Sequence, residues 1–455
     1  MLKRKKTKGK TGFFGTTKKS LVLVSTLFVR VSVLPSLPQQ EKAIQLNDKV
    51  SILENPSVCE LVNNMQSNNH TPRYAVTLFE EVSSSKTFSI IPFPMPKEIY
   101  VHYPPKTSAR DCNRTDLASR QVETMSWIVW GNQNEIIKAD EQTRHCLSSI
   151  PIRHIPEVQP LFVVHAENAN INELGVVRTA HEDLHWKRTC FGTSFLVEYN
   201  KTCVCTQQVE SVLVASNFWG DEVGHFTAET LPRIVSYLDL AHIMPVHLAG
   251  NDTAQIRMWL NYLNVTAIRG ANICAKSVYV TSPSDCRGGA FMSNLILKTR
   301  EMINPPHPND KPTKVLIMNR DSRDHNREPV RNVSALVESM LNIGYKDIQV
   351  IKSSDSAFWS CIPCQLETYR STKLFISSNG AGTMNLQLMP AHTFVVEIAS
   401  LERPEQPFYS NTAQRAWLLG QRFYHYYWQT DDDSTDLDID FFVSDLIEFA
   451  PPSMF

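Results

Sequence analysis

The stretch from residue 374 to residue 398 places the strongest constraint on the fold of this 455-residue chain. Leu374 to Ile376 is an apolar run of the kind that forms a buried strand, and Thr393 to Ile398 alternates in the manner of a second strand. Between them, Thr383 to Met389 suits a short helix, because Pro390 follows it and stops it. The stretch therefore predicts a strand, a turn, a helix and a strand in succession.

Two glycines, Gly380 and Gly382, occupy the turn between the first strand and the helix. Glycines let a backbone approach a ligand closely, and the N-terminus of the following helix offers unpaired N–H groups and a partial positive charge to an anion. We therefore predict a diphosphate-binding loop, formed by Ser378, Asn379, Gly380, Ala381, Gly382, Thr383 and Asn385. The alternative is that the two glycines serve a purely structural turn.

The C-terminal part of the chain alternates strands and helices. Predicted strands lie at 314–318, 347–351, 374–376 and 393–398. Predicted helices lie at 333–343, 358–372 and 383–389, with further helices in the tail at 412–419 and 441–449. This alternation predicts a parallel, doubly wound α/β sheet, whose ligands bind beyond the carboxyl ends of the strands.

The chain is too long for one ordinary domain and suits two. The best linker candidate is Asn304-Pro305-Pro306-His307-Pro308, a cluster of residues that break helices and strands. This linker separates a predicted N-terminal α/β domain (71–303) from a C-terminal α/β domain and tail (309–455). In the first domain we predict a helix at 257–263 and strands at 127–130, 161–165, 211–215 and 277–281.

The beginning of the chain carries a targeting pattern. Lysines and arginines crowd residues 1–20 without any acidic residue, and Leu21 to Leu37 is mostly apolar. A basic flank before an apolar run is typical of a signal anchor, with the basic side in the cytosol. We therefore predict a cytosolic tail (1–20), a signal anchor (21–37) and a polar stem (38–70). A cleaved signal peptide is the alternative, because Arg30 shortens the apolar run.

Cysteines and glycosylation sequons point to an oxidising compartment. The ten cysteines are an even number, which is compatible with disulfide bonding. Sequons, each a candidate N-glycosylation site, occur at Asn69, Asn113, Asn200, Asn251, Asn264 and Asn332. Both features predict a disulfide-bonded glycoprotein whose body is lumenal or secreted. A net charge of -1 argues against a nucleic-acid partner.

Charged side chains follow the predicted strands of the C-terminal domain. Arg320 and Arg323 come after the first strand, where a guanidinium can bind phosphate oxygens through two parallel hydrogen bonds. Glu397 is predicted to end the fourth strand, where a carboxylate can accept hydrogen bonds from ribose hydroxyls. The alternatives are surface ion pairs of the arginines with Asp321 or Asp324, and an edge-strand salt bridge for Glu397.

A second candidate site lies in the N-terminal domain. His225 and Glu229 are four residues apart at the start of a predicted helix, so they share one face of it. Either side chain can serve as the general base that a hydroxyl nucleophile needs. Such a pair can instead cap a helix or satisfy a buried core. A metal site is a further alternative, although two ligands are too few to define one.

Three blocks of sequence carry a resemblance to a known family. They are Gly224-His225-Phe226 with Glu229 and Leu231-Pro232-Arg233; Asn319-Arg320 with Arg327, Arg331 and Asn332; and Asn379-Gly380-Ala381-Gly382 with Asn385 and Val395-Val396-Glu397-Ile398. In this order and spacing they resemble the motif blocks of glycosyltransferase family 61, which includes xylosyltransferases and N-acetylglucosaminyltransferases. The first 200 or so residues show no match to the family.

The resemblance implies a GT-B architecture, in which two Rossmann-like domains enclose a nucleotide-sugar cleft. It further implies a type II membrane protein of the Golgi apparatus or endoplasmic reticulum that moves a sugar, xylose or N-acetylglucosamine, from a UDP-sugar to a glycan or glycoprotein hydroxyl with inversion. Glu229 or His225 would be the general base, and Glu397 would hold the ribose. Arg320 and the loop from Gly380 to Asn385 would stabilise the departing UDP, so that neither a metal nor another cofactor is expected.

Two residues depart from the family pattern. Asn379 stands where the family usually has a histidine, and an amide cannot carry positive charge. Glu229 stands where the family commonly has the shorter aspartate. The Asn379 change leaves room for a second hypothesis, a catalytically inactive lumenal glycan-binding protein of the same fold. A secreted hydrolase is less well supported, because no second carboxylate pairs with Glu229.

Two further motifs have competing interpretations. Asp431-Asp432-Asp433 and Asp438-Ile439-Asp440 could bind a divalent cation, but their acidic, polar surroundings favour a solvated loop. Cys361-Ile362-Pro363-Cys364 resembles a redox motif or half of a zinc site, and its lack of a matching second pair favours a disulfide.

Overall fold

The structure, a computed structural model, describes residues 88–94, 106–107, 127–129, 152–154, 161–180, 183–184, 205–217, 219–282, 293–305, 310–321, 329–378, 380–400, 409–428 and 436–455. These residues form a mixed α/β fold. Its strands are β1 (Ser89–Pro92), β2 (Lys106–Thr107), β3 (Trp127–Val129), β4 (Ile152–His154), β5 (Phe162–Ile171), β6 (Val177–Arg178), β7 (Asp183–Leu184), β8 (Gln207–Val214), β9 (Val246–Leu248), β10 (Ala267–Arg269), β11 (Ile273–Thr281), β12 (Lys314–Asn319), β13 (Ile348–Lys352), β14 (Thr372–Ser378), β15 (Phe394–Ser400) and β16 (Arg422–Trp428).

The described helices are of three kinds. The α-helices are α1 (Val223–His225), α2 (Leu231–Ser236), α3 (Leu238–Ile243), α4 (Ala254–Tyr262), α5 (Ser293–Ile303), α6 (Val333–Asn342), α7 (Ser356–Trp359), α8 (Ile362–Ser371), α9 (Tyr409–Leu418) and α10 (Ile439–Phe449). A π-helical turn, Phe226–Thr230, joins α1 to α2, and 3-10 helices span Ala381–Leu388 and Pro452–Met454.

The first sheet has eight strands, in the order β10, β9, β8, β11, β5, β6, β7, with β1 also paired to β5. The four strands from β10 to β11 run parallel, whereas β11 pairs with β5 antiparallel. Within the parallel part the chain moves outward from β8 to one side and then returns to place β11 on the other side. Parallel sheets bind ligands where the strand order reverses in this way, at the carboxyl ends of the strands. The carboxyl ends of β8 and β11 therefore mark a candidate site.

The second sheet has six strands, in the order β13, β12, β14, β15, β16, β2, and every neighbouring pair is parallel. The parallel α/β sheet predicted for the C-terminal part of the chain is thereby confirmed. From β12 to β16 the spatial order of successive strands is second, first, third, fourth, fifth, which is an order of doubly wound sheets. The order reverses between β12 and β14, so the carboxyl ends of these two strands mark the second candidate site.

Successive apolar side chains of a strand point to opposite faces of the second sheet, and helices cover both faces. In β12, Val315 and Ile317 pack on the face that α6 and α10 cover. Leu316 and Met318 point to the other face, which α8, α9 and the Ala381–Leu388 helix cover. Because both faces are buried, these strands are apolar at nearly every position.

One hydrophobic cluster joins the two sheets. It contains Leu213 of β8 and Phe226 of the π turn together with Phe375 of β14 and Leu386 of the 3-10 helix, and all four side chains are completely buried. Both sheets belong to a single compact unit. The sites at their carboxyl ends are therefore parts of one packed structure.

Three local predictions needed correction. The helix predicted at 358–372 is two helices, α7 and α8, because Cys361 adopts an extended conformation as the N-cap of α8 and Pro363 lies in its first turn. The helix predicted at 383–389 is 3-10 and begins at Ala381. Glu397 does not end its strand, since β15 continues to Ser400.

Two strands of the second sheet were not expected there. β16 was missed because its aromatic and basic residues lie in a tail that otherwise shows helical and polar patterns. β2 pairs with β16, although residues 106–107 belong to the predicted N-terminal domain (71–303). The predicted domain boundaries, including the linker at 304–308, stay predictions.

No helix among the described residues is long and apolar enough to cross a bilayer. The predicted cytosolic tail (1–20), signal anchor (21–37) and stem (38–70) lie outside the described residues. The sequons at Asn69, Asn113 and Asn200 and the acidic motif Asp431-Asp432-Asp433 lie outside them as well.

Asn332 differs from the other described sequon residues, because it is only partly exposed and both polar atoms of its side chain are hydrogen-bonded. Its Nδ2 donates to the carbonyl of Leu437 at 2.8 Å and its Oδ1 accepts from the Leu437 N–H at 3.1 Å, whereas Asn251 and Asn264 are exposed. We expect glycans at Asn251 and Asn264 but none at Asn332, and a loss of about 1 to 3 kcal/mol of unfolding free energy in Asn332→Ala.

Peptide mass spectrometry of protein from a secreting host, with denaturant unfolding of Asn332→Ala, tests this expectation. Asn251→Ala is the control for losing an exposed asparagine, whose Nδ2 makes only a long bond of 3.5 Å to Asp221, and it should lose less stability than Asn332→Ala. A glycan at Asn332 on folded protein would contradict the prediction.

Candidate active site

Arg320 and Gly380 meet where the strand order of the second sheet reverses. Arg320 follows β12 and Gly380 follows β14, its neighbour. Gly380 has a φ of 152°, which favours glycine, and its missing side chain leaves the space that the Arg320 guanidinium occupies. A Cβ atom at Gly380 would lie 3.0 Å from Cζ and 3.3 Å from Nε of Arg320 and would overlap Nη2. The guanidinium therefore packs directly on the glycine turn.

Hydrogen bonds hold the turn after β14 in a fixed shape. The carbonyl of Gly380 accepts from the Thr383 N–H at 3.1 Å and from the Thr383 hydroxyl at 2.8 Å. Asn385 donates to the carbonyl of Gly382 at 3.2 Å, and a Cβ at Gly382 would meet the Ser377 hydroxyl at 3.1 Å. A rigid turn beside a guanidinium is a suitable place for an anionic ligand.

The other residues predicted to bind the sugar donor lie in different surroundings. Ser378 is buried at the end of β14, and Ala381 begins the 3-10 helix. Arg323 and Asn379 lie outside the described residues, so their predicted roles stay predictions.

Glu397 lies inside the second sheet rather than at its edge. Its side chain has no exposed surface, its Oε1 accepts from the Thr412 hydroxyl at 2.9 Å, and its Oε2 lies 3.9 Å from Nε2 of His425. Complete burial lowers the pKa of His425 to about 3, so this imidazole is neutral. A ribose could contact the carboxylate only if Thr412 or a neighbour moved, and the ribose-binding role stays a prediction.

His225 and Glu229 form a hydrogen-bonded pair at the strand-order reversal of the first sheet. Nδ1 of His225 lies 2.6 Å from Oε1 of Glu229. The amide of Asn217, which follows β8, donates to Oε2 of the same carboxylate. The Glu229 side chain is 0% exposed and that of His225 is 12% exposed. The imidazole is therefore accessible to a substrate, whereas the carboxylate is enclosed.

This arrangement sets the roles of the two imidazole nitrogens. A carboxylate only accepts hydrogen bonds, so Nδ1 carries the proton in the bond to Glu229. Nε2 is then the nitrogen that can accept a proton from a substrate. It lies 4.0 Å from Oε2 of Glu222, whose side chain is 57% exposed. Nε2 therefore points toward the accessible side of the pair.

Two buried arginines compensate the charge of Glu229. Arg233 and Arg415 are almost completely buried and both interact electrostatically with this carboxylate. Burial lowers the pKa of each guanidinium to about 10, so both stay charged at neutral pH. Arg233 also donates to the Thr281 hydroxyl at 2.6 Å, and Arg415 donates to the Met384 carbonyl at 2.8 Å. A buried carboxylate is costly without such partners.

A π turn places Glu229 and leaves a carbonyl for a partner from the second sheet. The Leu231 N–H donates to the carbonyl of Phe226, five residues back. The next bond of this pattern would come from Pro232 to Thr227, but proline has no N–H. The Thr227 carbonyl instead accepts from Nε2 of Gln387 at 2.7 Å. π turns are frequent at functional sites. This one is held by a hydrogen bond from Gln387, which lies in the 3-10 helix that covers the second sheet.

The two candidate sites adjoin each other. A Cβ at Gly224 would lie 3.2 Å from Cβ of Ala381, so the residue before His225 packs against the start of the 3-10 helix. The same helix carries Gln387 near its end. The structure therefore brings the His225–Glu229 pair next to the glycine turn, as one site between the two sheets.

Sequence reasoning missed three residues of this site. Asn217 and Arg415 lie outside the three sequence blocks, and Arg233 lies in the first block but was given no role. A buried charge leaves no local signal, since its partners come from distant segments. Among the described residues, no group of three or more side chains is arranged to hold a metal ion.

We expect Gln387→Leu to break the hydrogen bond that links the π turn to the 3-10 helix after the glycine turn. Loss of the amide leaves the Thr227 carbonyl without its bond and lets the His225–Glu229 pair shift, which should lower the turnover number about 10- to 100-fold and unfolding free energy by about 1 to 3 kcal/mol. Transfer kinetics and denaturant unfolding measure the two effects.

Gln421→Leu is the matched control. Gln421 is also buried and its Nε2 donates to the carbonyl of Leu386 at 2.9 Å, so it supports the same helix without reaching the π turn. This variant should lose similar stability and keep its turnover number. Equal turnover losses in both variants would contradict a specific role for Gln387.

The comparisons with known proteins agree with this geometry. A family model described as Glycosyltransferase 61 matches residues 223–396. The matched segment begins with the helix that carries His225 and ends one residue before Glu397, so it contains both halves of the site. No curated protein matches the chain. The family resemblance predicted from the three blocks is confirmed: residues 223–396 of this chain match the model of glycosyltransferase family 61, which supports glycosyl transfer.

Proposed function

We propose that this protein is an inverting glycosyltransferase of GT-B type that moves a sugar from a UDP-sugar to a hydroxyl of a glycan or glycoprotein. The observation that carries the proposal is the contact of Gly224, next to the His225–Glu229 pair joined at 2.6 Å, with Ala381 in the glycine turn beside Arg320. One half supplies a base and the other an anion site, which are the two requirements of this reaction.

In the proposed reaction, Nε2 of His225 removes the proton from the acceptor hydroxyl as its oxygen attacks the anomeric carbon. The bond between that carbon and the diphosphate oxygen breaks, and its electron pair leaves with UDP. Attack from the side opposite UDP inverts the anomeric configuration. Glu229 keeps the imidazole oriented and stabilises the imidazolium that forms, as a buried acid does in other base pairs of this kind.

The leaving diphosphate would be stabilised by fixed donors. The guanidinium of Arg320 lies against Gly380, and the 3-10 helix begins at the next residue, Ala381. Preorganised donors need no rearrangement when negative charge develops on the leaving group. We therefore expect transfer without an added metal ion. The resemblance to glycosyltransferase family 61 favours xylose or N-acetylglucosamine as the donor sugar.

We place the protein in the secretory pathway, as a type II membrane protein of the Golgi apparatus or endoplasmic reticulum. The predicted anchor at 21–37 and the sequons support this proposal. The disulfides Cys205–Cys274 and Cys361–Cys364 support it too, because disulfides persist in oxidising compartments.

A transfer assay tests the proposed function. The purified protein is incubated with UDP-xylose or UDP-N-acetylglucosamine carrying a labelled sugar and with a mixture of glycoprotein acceptors, with and without EDTA. We expect label on the acceptor in both conditions, with an anomeric configuration opposite to that of the donor. Binding of glycans without binding of UDP would favour the inactive glycan-binding alternative.

A further inference from the structure

Cys361 and Cys364 form a disulfide at the start of α8, a helix that covers one face of the second sheet. α7 and Cys361 follow the carboxyl end of β13, and α8 then leads to β14, so the pair lies in a strand–helix–strand crossover. The sequence between the cysteines is Ile362-Pro363. Cys-x-x-Cys pairs near such crossovers occur in proteins that carry out thiol–disulfide exchange.

The two sulfurs have different environments. Cys364 is exposed, as are its neighbours Ser360 and Pro363, whereas Cys361 is only partly exposed. Sγ of Cys361 serves as the N-cap of the ten-residue helix α8 and accepts from the Cys364 N–H at 3.2 Å. The first turn of α8 contains no acidic residue. A thiolate on Cys361 would therefore be stabilised by a hydrogen bond and by the helix dipole.

These environments determine which sulfur is attacked and which sulfur leaves. A thiolate of an incoming dithiol attacks the exposed Sγ of Cys364 and forms a mixed disulfide, while Cys361 leaves as the stabilised thiolate and then takes a proton. The second thiol of the dithiol, as thiolate, attacks the sulfur of its own molecule in the mixed disulfide and releases Cys364. Two electrons and two protons pass from the dithiol to the protein. A leaving thiolate of low pKa accelerates the first step.

Hydrophobic packing also holds the fold at this point, beside the disulfide. Ile362 and Phe358 are 3% and 7% exposed and belong to the hydrophobic cluster between the sheets, so packing holds α7 and the start of α8. Opening the bond removes a covalent link between residues that are already neighbours along the chain. The helix should therefore survive reduction.

The second described disulfide provides an internal comparison. Cys205 and Cys274 are both partly buried, lie 69 residues apart in sequence and join the start of β8 to β11. The Asn170 amide lies 3.5 Å from one sulfur and 3.6 Å from the other. This disulfide is part of the sheet, and neither sulfur has the exposure of Cys364.

We propose that Cys361–Cys364 is a thiol–disulfide exchange site, which reacts with a dithiol reductant while Cys205–Cys274 stays closed. The proposal does not depend on the transferase reaction, because its chemistry involves neither sugar nor nucleotide.

The test treats the folded, oxidised protein with reduced dithiothreitol. Samples are quenched with acid at intervals, free thiols are blocked with a light alkylating reagent, and the remaining disulfides are reduced and blocked with a heavy one. Mass spectrometry then gives the opening rate of each pair, and far-UV circular dichroism follows the fold in parallel.

We expect Cys361–Cys364 to open at least about tenfold faster than Cys205–Cys274, with an unchanged spectrum, and to close again on addition of oxidised dithiothreitol. Opening of Cys205–Cys274 at the same rate or earlier would overturn the proposal. A loss of helical signal in step with the opening of Cys361–Cys364 would also overturn it, because the pair would then be structural.

Discussion

Replacing His225 with alanine is expected to lower the turnover number about 10²- to 10⁴-fold, the usual contribution of a general base. The imidazole is the partly exposed member of the pair, so the completely buried Glu229 cannot take the proton of the acceptor in its place. UDP affinity should stay within about twofold of the wild type, because His225 contacts no donor phosphate in the proposed reaction. Single-turnover transfer and UDP titration measure the two quantities.

Two further variants separate chemistry from folding in this first prediction. Asn217→Ala removes the bond to Oε2 of Glu229 and keeps the imidazole, so it should lose activity without losing the base. His242→Ala is the control for the loss of a hydrogen-bonded histidine, since His242 bonds the carbonyl of Leu263 and lies outside the site. It should keep wild-type turnover. A His225→Ala enzyme of wild-type rate would contradict the assignment of the base.

Replacing Arg320 with alanine is expected to weaken UDP binding about 10- to 150-fold, which corresponds to the loss of a charged hydrogen bond to phosphate. Gly380→Ala should have a comparable effect, because its Cβ would displace the guanidinium. In both variants the imidazole remains, so turnover at saturating donor should fall less than the affinity. Calorimetric titration with UDP measures the change.

Gly344→Ala is the matched control for this second prediction. Gly344 has a φ of 106° and a Cβ there would come no closer than 3.7 Å to Pro452, so the substitution imposes a backbone cost without touching Arg320. It should lower unfolding free energy by about 1 to 2 kcal/mol and leave UDP binding unchanged. Equal losses of UDP affinity in Gly344→Ala and Gly380→Ala would show that Gly380 acts only through stability.

The second sheet could be predicted well because local sequence determines it. The strands β12 and β14 are buried on both faces and therefore appear as continuous apolar runs. The strand β16 could not be predicted in this way, because its aromatic and basic residues become a strand only through pairing with β15. Likewise, nothing in residues 106–107 indicates that they pair with β16.

The candidate site was predicted where its residues are close in sequence and missed where they are not. His225 and Glu229 share one helical segment, and the glycine turn is contiguous, so both could be found. Arg415 reaches Glu229 from a helix 186 residues further along the chain, a separation that no motif spans. The choice of His225 over Glu229 as the proposed base depends on burial, because Glu229 is enclosed and His225 is partly exposed.

The most direct test of the proposed transferase site is thermal unfolding with UDP, with and without EDTA, of the wild type and Arg320→Ala. A ligand at a hundred times its dissociation constant adds about 2.7 kcal/mol to the free energy of unfolding. We expect UDP to raise the melting temperature of the wild type equally in both conditions and to leave that of Arg320→Ala nearly unchanged. A folded wild-type protein that does not respond to UDP would contradict the assignment of a UDP-sugar site to this turn.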